Sequence, residues 1–267
     1  MSAVIPQARP RRRWIWVLVA LATTLFLLGT AGLRVALKAV VEHAAVPAVV
    51  YHRELTQLQV VDPGGSVSVS PSPSGQVRIA ATVRWLGARP VLRRSWRGSD
   101  LSVIAGCPAP DLFGDCQADL DISVPAGTRL LATAGAGEIN VSGLTGSVDA
   151  VVSSGSVTLA DVSGPVFVRV GAGVVNGTGL SSRRLTATAG SGDVSLAFTA
   201  PPQLLALTVG TGSAGVTVPP GSAFRVVRRP GAGPVRLAPG LRAPGSARLL
   251  TVQVGTGSVS IGYPPGG

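Results

Sequence analysis

Aromatic residues are scarce in this 267-residue chain, at 4% of positions against 46% for all hydrophobic types. Any core must therefore be built from Val, Leu, Ile and Ala, and no platform is available for stacking nucleic-acid bases. Histidine is rarer still: His43 and His52 are the two copies, both near an apolar N-terminal run. No base is singled out for a Ser-His-Asp arrangement, and the abundant serines sit at repetitive turn positions, where they hydrogen-bond locally. Cysteine also occurs twice, as Cys107 and Cys116, which enclose CPAPDLFGDC. Eight intervening residues are wrong for a C-x-x-C redox or zinc pair, and no further Cys or nearby His completes a site. In an oxidising compartment, two cysteines this close form a structural disulfide, contributing on the order of 2–3 kcal/mol. Lysine occurs once, at Lys38, so nearly all positive charge is arginine, a mark of GC-rich bacterial coding that does not bear on the fold.

The net charge of +11 suggests nucleic acid, but its distribution argues otherwise. Arg9, Arg11, Arg12 and Arg13 cluster before the apolar run, and the remaining excess of +7 spreads over more than 200 residues (19 basic less 12 acidic). The pairs Arg93-Arg94, Arg183-Arg184 and Arg228-Arg229 are isolated, with no recognition helix beside them. No nucleic-acid partner is expected. Attraction to anionic lipid or a wall polymer follows from the same electrostatics.

Trp14 to Leu33 are 20 consecutive residues without a charge. At 1.5 Å per residue they span about 30 Å, the thickness of the hydrocarbon core. The arginines before the run place the N-terminus in the cytoplasm, and Trp14 and Trp16 suit the interface there. No A-x-A cleavage site follows, so an uncleaved anchor is expected over a cleaved signal peptide. The expected layout is a cytoplasmic basic tail over 1–13, a transmembrane helix over 14–35 and a juxtamembrane linker over 36–53, helical as far as Pro47. An extracytoplasmic domain over 54–263 follows.

That domain is marked by glycines at a regular interval. GAGEINVSGLTG starts at Gly135, SSGSVTLADVSG at Ser153, GAGVVNGTGLSS at Gly171 and GSGDVSLAF at Gly190. GTGSAGVTVPPG follows at Gly210, GAGPVRLAPG at Gly231 and GTGSVSIGYPPG at Gly255; the starts lie 18, 18, 19, 20, 21 and 24 residues apart. Such a period denotes stacked supersecondary units. Ile139, Val141, Leu144, Val148, Ala150 and Val152 become Val157, Leu159, Val162, Val166, Val168 and Val170 on adding 18, and all stay apolar. The chain is thus read as all-β: a single-stranded β-solenoid with turns of about 18–24 residues, after one N-terminal helix. Residues 54–125, with turn clusters DPGG and SPSPSG and a loop or edge over 86–100, form an irregular N-terminal cap. Residues 126–263 form the repeats, with no clear C-terminal cap.

The GxGxV units, the VPAG (Val124 to Gly127) and VPPG (Val218 to Gly221) corners and the terminal GTGSVSI carry a resemblance over about residues 50–263. The chain resembles the bacterial putative-adhesin domains of unknown function, also called toastrack domains. The resemblance implies a solenoid often anchored in the envelope, with relatives beside stress-signalling modules and no catalytic residues to transfer.

Several motifs invite other readings. Gly210 to Gly215 fits G-x-G-x-x-G, but a strand and a turn follow where a dinucleotide site needs a helix. GSGDVSL at Gly190 is similar to calcium-binding β-roll repeats, yet the matching positions are Glu138, Ser156, Val174, Asp193 and Ser213, and only two are anionic. Asp119 and Asp121 share one strand face, which reads more simply as a solvated face than as a paired-acid site. The Asn140 and Asn176 sequons have meaning only in a glycosylating secretory pathway. No catalytic residue, cofactor or metal is expected. The reading is a non-enzymatic, membrane-tethered binding or self-association surface in the cell envelope, facing an envelope protein or wall polymer. The alternative is an accessory or sensor of envelope stress. The oligomeric state is left open.

Overall fold

A computed structural model describes residues 11–38, 42–85, 89–107 and 116–264. The chain divides into two units, Met1–Glu42 and His43–Gly267. The first contains helix α1, Arg11–Lys38. Its described side chains are Trp14 and residues 16–30, and all are exposed. Among the described residues no helix is long and apolar enough to cross a membrane.

The second unit is one 16-stranded sheet. Strand β1 is Glu42–Tyr51, β2 Gln57–Pro71, β3 Val77–Trp85, β4 Val91–Arg97, β5 Asp100–Gly106 and β6 Gln117–Val124. Four long strands follow: β7 Arg129–Ser142, β8 Val148–Ala160, β9 Val166–Leu180 and β10 Arg184–Phe198. The remainder are β11 Leu204–Thr211, β12 Ser213–Thr217, β13 Arg225–Arg228, β14 Val235–Leu237, β15 Leu249–Val254 and β16 Ser258–Gly262.

Each long strand is a bent turn. Along β8 the buried residues are Val148, Ala150 and Val152, then Val157 and Leu159. The inward phase flips across Ser153–Ser156, so two arms of alternating side chains meet at a corner. A return segment buries Val162 and brings the chain to the next rung. Pairing between turns is parallel and in register: Ala132 faces Ala150, which faces Val168, then Ala187, Leu207 and Val252. This column is at most 1% exposed, and the 18-residue phase seen in the sequence is its register.

The corners depend on a column of glycines. A Cβ placed on Gly137 would lie 1.9 Å from the Gly65 carbonyl oxygen, and one on Gly155 the same distance from Gly137. The series continues through Gly173, Gly192, Gly212 and Gly257, at 1.8–2.0 Å each. Only a residue without Cβ allows backbones to stack this closely at a bend.

Rung order departs from chain order at both ends. One arm runs β4-β5-β2-β7-β8-β9-β10-β11-β15-β13, and the other runs β1-β3-β6-β2-β7-β8-β9-β10-β12-β16-β14. The final segment, β15 and β16, is inserted between the β11/β12 turn and the β13/β14 turn. The Gly231 unit therefore lies outside the Gly255 unit, contrary to the sequential order expected. It forms the C-terminal cap, closed by fully buried Phe224 and Leu241.

The N-terminal expectations also need correction. Residues 42–51 of the expected linker are strand β1, paired with β3 at the sheet edge, and the helix ends at Lys38 well before Pro47. An edge position tolerates that proline, since its missing N–H is not needed by a neighbour. The expected irregular cap contains a regular turn: β2 aligns with β7 from Gln57↔Arg129 to Val69↔Val141. Within the region expected as a loop or edge over 86–100, β4 is an edge strand that forms an antiparallel hairpin with β5. β2 pairs with β5 across 43 positions and with β7 across 72, beyond the reach of an 18-residue period.

A candidate anion-binding cleft at the C-terminal end

Three chain segments enter successive rungs at the same point. Arg183, Gln203 and Arg248 directly precede Arg184, Leu204 and Leu249, which are aligned on β10, β11 and β15. Arg183 and Arg248 are thus two rungs apart, about 9–10 Å at the ordinary strand spacing. The main chain beneath them is fully engaged. Gln203 N donates to Arg183 O at 2.8 Å, Leu249 N to Gln203 O at 2.8 Å, and Arg225 N to Arg248 O at 2.8 Å. Ser246 Oγ donates to Ala223 O at 2.8 Å and accepts from Arg248 N at 3.1 Å, fixing the approach to β15. The side chains face a cleft of about 600 Å³ lined by Ser181, Arg183, Pro201, Gln203, Ser246 and Arg248, among others.

No carboxylate or imidazole lines this cleft. Two guanidiniums, the Ser181 hydroxyl and the Gln203 amide can bind an oxyanion through charge-assisted and bidentate hydrogen bonds, whereas the one proton of Ser246 is committed to Ala223 O. They offer no general acid or base near neutral pH. A second cleft of about 480 Å³ lies on the other arm at the same end, between Ser195, Thr217, Arg236, Ser260 and Tyr263.

Charge follows the same geography. The last acidic residue is Asp193, whereas Arg225, Arg228, Arg229, Arg236, Arg242 and Arg248 all follow it. Residues 194–267 therefore carry +6 of the total +11. Among the described residues the one ion pair is Arg84–Asp119, 3.8 Å apart, at the opposite end. Along the sequence Arg183-Arg184 and Arg228-Arg229 stand as isolated pairs. Rung order, with β15 beside β11 and β13 beside β15, is what collects them.

The residues singled out in the sequence fall elsewhere. Cys107 and Cys116 form a disulfide with Cα atoms 6.3 Å apart, and the intervening 108–115 lie outside the described residues. Arg9 also lies outside them; Arg11, Arg12 and Arg13 open α1, with no side-chain description. His43 and His52 are exposed, on and just after β1. Gly210 to Gly215 runs from β11 into β12 with no helix, and Gly210 and Gly212 serve the corner.

Asp119 and Asp193 have structural partners. Asp119 Oδ1 accepts from Ser66 N at 3.0 Å and Ser66 Oγ at 2.7 Å. Asp193 Oδ1 accepts from Ser213 N at 3.1 Å and Ser213 Oγ at 2.6 Å. The Ser213 hydroxyl, then its N–H, holds the Asp193 carboxyl below its ordinary pKa. Both carboxylates clip one turn to the next at the corner. Glu138, Ser156, Val174 and Asp193 do share one column, as the repeat phase implies. Among the described residues no group of three or more His, Cys, Asp or Glu could hold a metal ion.

Asp62 opens the DPGG cluster, which the sequence pattern marks as a turn. Its backbone aligns with Ala134, so it occupies an inward position and is 1% exposed. Oδ1 accepts from Gly64 N at 3.1 Å, while Oδ2 is buried without a partner. Burial, aided by the nearby Asp119 charge and opposed by the Gly64 hydrogen bond, raises its pKa to about 6. An Asp at an apolar phase position was the signal available in the sequence.

No protein-family model matches the chain, and no curated protein does. Among solved structures it is similar to a putative cell adhesion protein from Clostridium sporogenes, at 11% identity and TM-score 0.36, covering 81% of this chain and 99% of that one. A putative adhesin from Bacteroides fragilis gives 10% identity and TM-score 0.31, with 82% and 97% covered. A putative adhesin from Parabacteroides distasonis gives 14% and 0.37, with 83% and 96% covered. At such identities and scores, the solenoid assignment rests on the chain's own ladder registers.

Proposed function

We propose that this chain is a non-enzymatic, membrane-tethered β-solenoid that presents a binding surface outside the cytoplasm of a bacterial cell. The observation that carries the binding role is the C-terminal cleft: arginines, serines and glutamine on a stacked frame, with no acid or base among its lining residues. A continuous parallel ladder makes such a frame stiff, because each rung is held on both sides.

The tether rests on the uncharged run Trp14–Leu33 and the arginines before it. Residues 16–30 alone rise about 22 Å, short of a hydrocarbon core, whereas all 20 residues of the run give about 30 Å. A disulfide suits an oxidising compartment, which supports placing residues 43–267 outside. The test is protease applied to intact cells expressing the chain with a C-terminal tag. Loss of the tag from outside is expected; a tag protected until the cells are lysed sinks the topology.

A further inference from the structure

We propose that the C-terminal end of the solenoid, with the Arg183–Arg248 cleft at its centre, docks a linear polyanion of the cell envelope through its oxyanion groups. The partner's location rests on the topology above; the binding chemistry does not. Two guanidiniums two rungs apart, with Gln203 between them, form a short strip along the stacking direction. An extended chain bearing repeated charges could follow that strip across rungs. Arg225 stands on the next rung in the neighbouring column, aligned with Leu249, while buried Phe224 takes the position equivalent to Arg248, so Arg225 flanks the strip and does not extend it. Arg225, Arg228, Arg229, Arg236 and Arg242 are all exposed, and no acidic residue follows Asp193 in the chain. Arginine's fork matches phosphate and carboxylate alike.

Charge also argues against a second copy as the occupant. The outermost strand of the same arm at the other end, β4, carries Arg93, Arg94 and Arg97 and no carboxylate. End-to-end stacking would bring like charges together, whether cap met cap or cap met β4, and charged edge strands resist such pairing. A lipid surface is the competing source of oxyanions, and the vesicle arm of the test below separates it from a polymer.

The test uses the full chain in neutral detergent micelles at 150 mM salt. Fluorescence anisotropy measures binding to labelled medium-chain polyphosphate and to labelled polyglutamate. Flotation measures binding to vesicles containing phosphatidylglycerol. Binding to a polymer is expected, and preference between the two identifies phosphate or carboxylate as its source. R183Q/R248Q should raise Kd at least tenfold and flatten the log-log salt slope by about 1.4, two phosphate contacts at ~0.7 each. R225Q/R242Q, also at this end, should weaken binding several-fold. R93Q/R94Q, which removes the same charge at the far end, should change it less than twofold. Unaltered thermal unfolding of each variant would show that the frame persists. Binding to vesicles alone, full affinity in both C-terminal double variants, or equal loss in R93Q/R94Q would overturn the proposal. A failed protease test would leave this outcome untouched, so the two readings stand or fall separately.

Discussion

Gly212 and Gly215 lie three residues apart in one motif, G-x-G-x-x-G, but the structure gives them opposite roles. Gly212 has φ of +128°, and a Cβ there would lie 2.0 Å from Gly192 O. Relief of that overlap requires the rungs to separate by more than 1 Å locally. The backbone conformation itself costs an L-residue about 1–3 kcal/mol, and losing two ladder hydrogen bonds costs about 1 kcal/mol each. Gly212→Ala should therefore destabilise by about 3–5 kcal/mol. In a domain of this size that lowers Tm by roughly 6–20 °C. At Gly215 a Cβ meets nothing within 4 Å and φ is not positive, so Gly215→Ala should be neutral or stabilise by up to about 1 kcal/mol. Thermal unfolding followed by far-UV circular dichroism reads both. If the two variants melt together, the stacked-corner account is refuted. Severe loss at Gly215 with tolerance at Gly212 would point to a role for the motif that the corner geometry does not explain.

Val168→Asp should bury an unpaired carboxylate in a column that is fully closed to solvent, costing several kcal/mol, while Asp149→Ala at a partly exposed outward position should stay within about 0.5 kcal/mol; chemical denaturation distinguishes them, and equal tolerance would overturn the inward register. Asp62 predicts a pH dependence with an unusual sign. Its folded pKa of about 6 exceeds the ordinary 3.8, so the folded state holds the proton more tightly and its contribution is full below about pH 4 and lost as pH rises through 6. The difference is up to about 3 kcal/mol. Asp62→Asn should therefore raise Tm at pH 7.5 and change it little at pH 4, and an equal shift at both would sink the assignment.

The middle of the molecule was legible because its pairing is local. Rungs 18 or 19 residues apart put Ala132, Ala150, Val168 and Ala187 in one column, and Gly137, Gly155, Gly173 and Gly192 repeat with the same phase. The ends were not, because their partners are remote. β2 pairs with β7 at a distance of 72 residues, and β11 with β15 at 45. No window of one period contains both partners, so β2 read as part of a cap and the Gly231 unit as an ordinary turn. The candidate site suffered most, since Arg183 and Arg248 become neighbours only when β15 takes its place beside β11. Topology alone decides that step. Asp62 was hidden differently: proline and glycine after it gave a turn signal stronger than the apolar phase it occupies.

The displaced final segment gives the chain an intrinsic order of completion. A solenoid built in sequence order could close turn by turn as the chain is made. Here β13 and β14 emerge before the β15 and β16 strands that must lie beneath them. Until residues 249–262 arrive, the β11/β12 turn keeps an open edge and the cap has nothing to rest on. Parallel contacts that wait for distant sequence form late. The strands nearest the C-terminus thus act as a closing latch, and the arginine cleft comes into being only when it shuts. A chain cut before Leu249 would lack not merely β15 and β16 but the surface on which the proposed binding depends.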